Sequence, residues 1–247
     1  MALLHRASTL TPTKLDLASA WALAQPWFSG DAEAVFEPVG SYRFDDPEGQ
    51  VGIETLLIRA GEHSPVLQVP VTYRDAPLAG AEAALIGTAE HSALGTRWVY
   101  DGVGDPAYLA AVATATLTGG HQADQFVEID GELVAREPTA LVTGSGNEGM
   151  PPVAVPPVAS IVLTATVNST VVVADGLRLV LARVFDLAGP IASDLRSVAA
   201  ENGTLGAEMQ GEDSLENTDA SGAASAILSG IWLEHREPKA LALVIRG

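Results

Sequence analysis

Thr170-Val171-Val172-Val173-Ala174-Asp175-Gly176-Leu177-Arg178-Leu179-Val180-Leu181-Ala182-Arg183-Val184-Phe185 decides the fold class of this chain. Two runs of β-branched and aliphatic residues flank Asp-Gly. That pair tolerates the two positive φ angles of a type I′ turn, so the stretch predicts a hairpin with strands at 170–174 and 177–185. Similar runs lie upstream at 34–44, 51–59, 66–73, 83–88 and 97–100, punctuated by Gly, Pro and Asp signals such as Asp46-Pro47-Glu48-Gly49. Ile129-Asp130-Gly131-Glu132 reads as another hairpin turn, between 125–128 and 133–136. Residues 160–167, 224–234 and 240–245 complete the strands, the last two joined near Glu237-Pro238-Lys239. Strands follow strands without long helices between them, which is the α+β pattern with antiparallel sheets.

Helices are few. Thr11-Pro12 opens one over 12–24, with Thr11 as N-cap, Pro12 at the first helical position and Pro26 as the stop. Asp105-Pro106 opens a second, through about Leu117, closed by Gly119-Gly120. Residues 193–200 suit a short third. Residues 144–157 are too rich in Gly and Pro for a helix or central strand, so they read as a linker between domains at 1–143 and 158–247. Residues 201–222 are polar, acidic and Gly-rich, and read as a mobile loop. The first domain is then a helix, an antiparallel sheet and a second helix; the second is a small antiparallel sheet.

Hydrophobic residues make up 47% of the 247, enough for a sizeable core, but aromatics are only 5%, so aliphatic side chains must fill it. The net charge is −18, with both halves acidic. Such a surface repels phosphate backbones and anionic lipid, which argues against nucleic-acid and membrane partners. Cysteine is absent, which excludes disulfides, thiolate catalysis and Cys-ligated metal. No signal-peptide core follows Met1 and no apolar run reaches membrane length, so the expected location is the cytoplasm.

Little in the sequence announces chemistry. His5, His63, His91, His121 and His235 show no metal-ligand spacing, and no Walker A motif occurs. Gly144-Ser145-Gly146 lacks the spacing of a nucleophile elbow. Asp101 and Asp105 precede a helix, where a carboxylate more often caps or turns than catalyses. Tyr73-Arg74-Asp75 ends a strand and offers a ligand or partner contact, against the plainer reading of a structural ion pair. Trp98 and Tyr100 alternate on one strand face, either as core or, if exposed, as a carbohydrate or protein platform.

Several words in order carry a resemblance. Gln25-Pro26-Trp27-Phe28, Gln68-Val69-Pro70-Val71-Thr72-Tyr73-Arg74, Ala84-Leu85-Ile86-Gly87-Thr88, Trp98-Val99-Tyr100-Asp101-Gly102 and Asp105-Pro106 resemble the N-terminal cap domain of maltokinase-like proteins. The resemblance implies a helix packed on a curved, cystatin-like antiparallel sheet, with a structural or regulatory part. Some relatives of this type carry a glucan-branching label. That activity needs a large barrel with acidic motifs, for which this chain is too short.

The second half is similar in order to the small lobe of actinobacterial maltokinases and their glucosamine-kinase relatives. Val167-Asn168-Ser169-Thr170-Val171-Val172-Val173 leads into Arg178 to Phe185, and then into Gly189-Pro190-Ile191-Ala192-Ser193-Asp194-Leu195-Arg196. In that family a strand Lys, held by a helix Glu, contacts the nucleotide. The matching strand offers Ala182 or, with one residue inserted, Arg183; the Glu position falls on Arg196. Two arginines cannot form the pair, so the resemblance implies a degenerate site. The His-Gly-Asp and metal-binding motifs of the large lobe do not occur through Gly247.

The resulting expectation is a non-catalytic protein with no catalytic residue, metal or cofactor. It acts on a protein partner or by self-association in α-glucan, trehalose or amino-sugar metabolism. One rival is a split sugar kinase, active only with a separate large lobe, in which Arg183 contacts the nucleotide. The other is a sugar-binding module, with Tyr73, Arg74, Trp98, Tyr100 and Asp101 as candidate ligand or partner surface.

Overall fold

The computed structural model describes residues 2–4, 9–46, 48–129, 132–185, 192–201, 223–232 and 235–247. In chain order the elements are β1 (Ala2–Leu4), β2 (Leu10–Thr11), α1 (Lys14–Leu23), β3 (Glu37–Phe44), β4 (Gly52–Arg59), β5 (Val66–Arg74), β6 (Leu85–His91), β7 (Gly95–Asp101) and α2 (Pro106–Leu117). They continue as β8 (Gln125–Ile129), β9 (Glu132–Arg136), β10 (Ala140–Gly144), β11 (Val162–Ala165), β12 (Ser169–Ala174), β13 (Leu177–Ala182), β14 (Val184–Phe185), α3 (Ala192–Glu201), β15 (Ala224–Trp232) and β16 (His235–Arg246). Antiparallel sheet dominates and helices are few.

Three sheets form. The first runs β2-β6-β7-β5-β4-β3, with β14 also pairing β5; the second runs β10-β15-β16-β13-β12-β11; the third is β1-β8-β9, where β1 and β8 are parallel. β4 and β5 are buried along nearly their whole lengths because both faces of the first sheet are covered. Leu56, Ile58, Leu67, Val69 and Val71 pack with Ala18 and Ala22 of α1, while Ile53, Leu57 and Val66 belong to a core shared with α2 and the second sheet. Helix α2 has no polar face, since Leu109, Val112 and Leu117 are all buried in that shared core. Each such side chain contributes roughly 1.5–3 kcal/mol.

The expected hairpin at Asp175-Gly176 is present, both residues taking positive φ (38° and 77°) as a type I′ turn requires. α2 begins after Asp105, whose side chain accepts from the Ala107 N–H, and Gly119 beyond its end has φ 72°.

Other expectations need correcting. α1 is capped by Thr13, not Thr11: Thr13 and Asp16 form a reciprocal capping box, and Thr11 lies in β2. Glu82–Ala84 is a 3₁₀ turn ahead of β6 rather than strand. Glu237, Pro238 and Lys239 lie inside β16, not in a turn, because the ladder shifts register between Gly230 and Trp232 and that irregularity accommodates a residue lacking an N–H. The predicted strand 177–185 breaks at Arg183, where the chain leaves the second sheet and joins the first as β14. The expected turn at Asp130-Gly131, the Gly189-Pro190-Ile191 segment and residues 202–222 of the expected loop lie outside the described residues.

The Gly- and Pro-rich stretch 144–157 has no helix or strand after Gly144, yet it is tied down. The Gly146 and Asn147 N–H groups donate to the Thr116 and Leu117 carbonyls, and the Val153 N–H donates to Thr114 Oγ1. β10, which precedes it, pairs β15, which follows it.

Candidate functional site

The switch of sheets at Arg183 builds the most unusual feature of the molecule. Along one edge of β5, β7 pairs with Val71–Arg74 and β14 pairs with Val66 and Leu67. Between these two pairings the edge of β5 has no strand beside it. Arg183 fills that gap. Its carbonyl accepts from the Gln68 N–H at 2.9 Å. N–H groups of alternate residues point the same way, so Pro70 turns its missing donor toward the gap, where no ladder bond is asked of it.

The Arg183 side chain is 1% exposed. Nη2 donates to Asp101 Oδ2 at 2.6 Å, and Nε to Thr170 Oγ1 at 2.8 Å. The guanidinium lies 5.3 Å from the Trp21 ring centroid and 5.6 Å from that of Trp27. One cation therefore joins the first sheet (Asp101), the second sheet (Thr170) and the α1 region (Trp21, Trp27), in a desolvated setting where cation–π attraction reaches about 2 kcal/mol. Burial raises the pKa of Asp101, and the Arg183 guanidinium offsets that rise only in part.

Gln68 makes a second junction. It is fully buried, accepts from Tyr42 Oη at 3.0 Å, and donates from Nε2 to the carbonyls of Ala182 (2.7 Å) and Leu241 (3.0 Å). A buried polar side chain bridging two sheets fixes their relative placement, because each lost partner leaves a desolvated group behind.

The other sequence candidates are placed as follows. Arg74 makes a bidentate ion pair with Asp105, Nε and Nη2 each 2.7 Å from an oxygen, and Thr72 donates to the same carboxylate. The Asp105 hydrogen bond, against the cost of burial, raises the Arg74 pKa. Tyr73 lies on the opposite face; burial and the nearby Glu54 carboxylate push its phenol well above the usual range. Tyr100 is buried and its hydroxyl accepts from the Leu78 N–H at 2.8 Å. Trp98 is half-buried with it beneath Leu78, Ala81, Ala84 and Val158, so the two rings form a covered core rather than an open platform. Arg183 and Asp101 come together; Arg74 and Tyr73 part to separate clusters. Arg196 is exposed on α3.

Sequence reasoning gave no role to Glu54, Gln68, Trp21 or Trp27, although Trp27 and Gln68 stand in the words that carry the resemblance. Glu54 and Gln68 left one signal, a polar residue inside an otherwise apolar strand. Burial opposes ionisation of Glu54, but Arg43 at 3.6 Å and Lys14 at 2.6 Å outweigh it, so the pKa is lowered. A carboxyl depressed below its ordinary value of 4.5 stabilises the fold above that pH and loses its contribution as pH falls through the depressed value. Glu54→Gln is expected to lower Tm at neutral pH and to flatten the fall of Tm on acidification. Parallel melts with equal acid slopes in parent and variant would refute this.

An open cleft of about 340 Å³ lies between the end of β3, α2 and residues 120–124, lined by Phe44, Ala111 and Ala115 with Asp45, His121 and Asp124 at its polar side. Among the described residues no three His, Asp or Glu side chains converge to hold a metal ion, and no helix is long and apolar enough to cross a membrane.

The Trp21–Trp27 pair, the Gln68 bridge and the Asp101 and Asp105 carboxylates all fall within one contiguous stretch. Residues 21–105 match the family model of the maltokinase N-terminal cap domain. No curated protein matches the chain. The matched stretch contains β3–β7 and ends at the N-cap of α2, while Arg183, which fills the gap in its sheet, comes from far outside it.

Proposed function

We propose that this is a non-catalytic protein. A cap-like unit at 1–143, taken as a cystatin-like helix on sheet, is tied through 144–157 to a degenerate kinase-small-lobe-like unit at 158–247. It works by binding a protein partner in α-glucan, trehalose or amino-sugar metabolism, in the cytoplasm. The observation that carries the reading is the fate of Arg183. The strand cation that would meet a nucleotide phosphate is instead spent inside the fold, on Asp101, Thr170 and two indoles. A guanidinium committed to a buried carboxylate can leave it only by stranding that charge in a low-dielectric site.

The test is calorimetric titration of the whole chain with Mg·ATP, together with an assay of ATP turnover on glucose, maltose and glucosamine. No binding and no turnover is the expected result. ATP binding that appears only when a separate kinase large lobe is added, and that disappears in Arg183→Ala while the variant stays folded, would overturn the reading in favour of a split kinase. The open cleft beside α2 favours a second reading, a sugar-binding module, because apolar wall and convergent polar groups occur there together. Titration with the same sugars separates it: saturable binding lost in Asp124→Ala would support it, and flat titrations would sink it.

A further inference from the structure

We propose that the chain self-associates through the free edge of β11, two copies pairing antiparallel across a twofold axis. The proposal rests on how the sheet edges differ. Edge strands present unpaired N–H and C=O groups and are normally blunted by charge, brevity or cover. β10 is covered: its Val142 and Gly144 N–H groups donate to Gln122 Oε1 and the Gly120 carbonyl. β3 is covered too, its Ser41 N–H bonded to Thr139 Oγ1 and its Arg43 carbonyl accepting from Ala123. β9 carries Glu132 and Arg136, β1 is three residues long, and β2 is two.

β11 has none of these protections apart from its modest length. Val162-Leu163-Thr164-Ala165 is exposed at all four positions and contains no charge or proline. It pairs β12 on one side alone, so two of its residues turn their backbone groups outward, and among the described residues nothing bonds them. Apolar surface continues around it, with Val162 60% and Val167 80% exposed and Leu163 and Val173 also open.

Charge selects the occupant. The chain carries −18, yet between Glu148 and Asp175 it has no charged residue. A second copy is therefore repelled by most of this surface and tolerated at this stretch, where no like charges meet. An isologous contact must also suit itself. Outward-facing residues must lie opposite outward-facing ones when an edge meets its own copy, so Leu163 faces Ala165, Thr164 faces its own copy and Val162 faces Thr166, and every pair is apolar or hydroxyl. The result is one sheet running continuously through both copies. Since the remaining charge opposes association at a distance, salt that screens it strengthens the dimer.

Sedimentation velocity of the full chain, from low micromolar to hundreds of micromolar and at two salt concentrations, tests this. A monomer–dimer equilibrium that tightens with salt is expected, with Val162→Lys weakening it about tenfold or more, as a charge placed at a paired edge should. Val35→Lys, at a side chain 85% exposed elsewhere, is the control and should leave it unchanged. Val162 is exposed enough that its substitution spares the fold, which a melt of each variant verifies. Independently, the outward-facing amides of Leu163 and Ala165 should exchange more slowly at high than at low protein concentration. A monomer under every condition, or a dimer indifferent to Val162→Lys, overturns the proposal. Neither outcome depends on whether ATP binds, so this idea and the non-catalytic reading stand or fall separately.

Discussion

Arg183→Ala is expected to destabilise the protein by about 3–5 kcal/mol, the usual cost of removing one partner from a buried ion pair. The loss is larger than for a surface bridge because Asp101 is itself buried. Its Oδ2 gives up the 2.6 Å bond to Arg183. Burial already raises its pKa, and removing the guanidinium removes the opposing influence, so the carboxyl takes up a proton in the variant. Thr170 Oγ1 and the facing surfaces of Trp21 and Trp27 lose their contact at the same time. For a chain of this size the change amounts to a fall in Tm of roughly 10 °C. Indole emission, excited selectively, should shift as the cation leaves the two rings. Asp101→Asn keeps the shape and removes the charge, so it should cost less. The double variant Arg183→Met with Asp101→Asn should recover part of the loss, since no uncompensated charge then remains buried. A single variant that melts within about 1 kcal/mol of the parent would show that the pair is not a clamp between the two sheets.

How much of this was legible in the sequence follows from which interactions are local. The hairpin at Asp175-Gly176 and the start of α2 at Asp105-Pro106 are decided by residues next to one another, and both appear where expected. The N-cap of α1 was misplaced by two residues because Thr11-Pro12 and Thr13 offer competing local signals, and the reciprocal bond from Asp16 decides between them. The break at Arg183 could not be read at all. Ala182, Arg183 and Val184 continue the strand pattern without interruption, and only the unpaired edge of β5, more than a hundred residues earlier, draws the chain across. Asp101 and Arg183 were each singled out for contact with a ligand or nucleotide, yet they meet each other. Complementary charges far apart in sequence give no sign of their partner, whereas Arg74 near the end of a strand and Asp105 at a helix start were at least suspected of structural roles. Trp98 and Tyr100 were correctly given one face, but the segment that covers them, Leu78 to Ala84 with Val158, is tertiary information.

Gly146→Ala is expected to be nearly as damaging, although nothing in the sequence distinguishes it from its neighbours in a stretch that reads as linker. The last carbonyls of a helix need donors from outside it. Here the Gly146 N–H supplies one to Thr116 at 3.0 Å and the Asn147 N–H another to Leu117 at 2.8 Å. To reach them the backbone lies directly on the end of α2, and a Cβ at position 146 would fall onto the Leu117 carbonyl. That obstacle is main chain, so no rotamer change relieves it. Either the segment lifts off, exposing both carbonyls and the buried end of α2, or the helix shifts within a core it shares with the second sheet. Overpacking of this kind costs typically 1–3 kcal/mol, and a backbone obstacle belongs at the upper end. We expect about 3 kcal/mol, read as a Tm lower by roughly 6–12 °C. Gly149→Ala provides the comparison, because a Cβ there meets only the Asn147 side chain at 3.5 Å, an ordinary contact. Its effect should stay within about 0.5 kcal/mol. Hydrogen exchange resolves the mechanism: in Gly146→Ala the amides of Gly144 and Asn147 should lose protection before those of β12 and β13. If the two alanine variants melt together, the stretch is the loose connection its composition suggests, and α2 is held by its side chains alone.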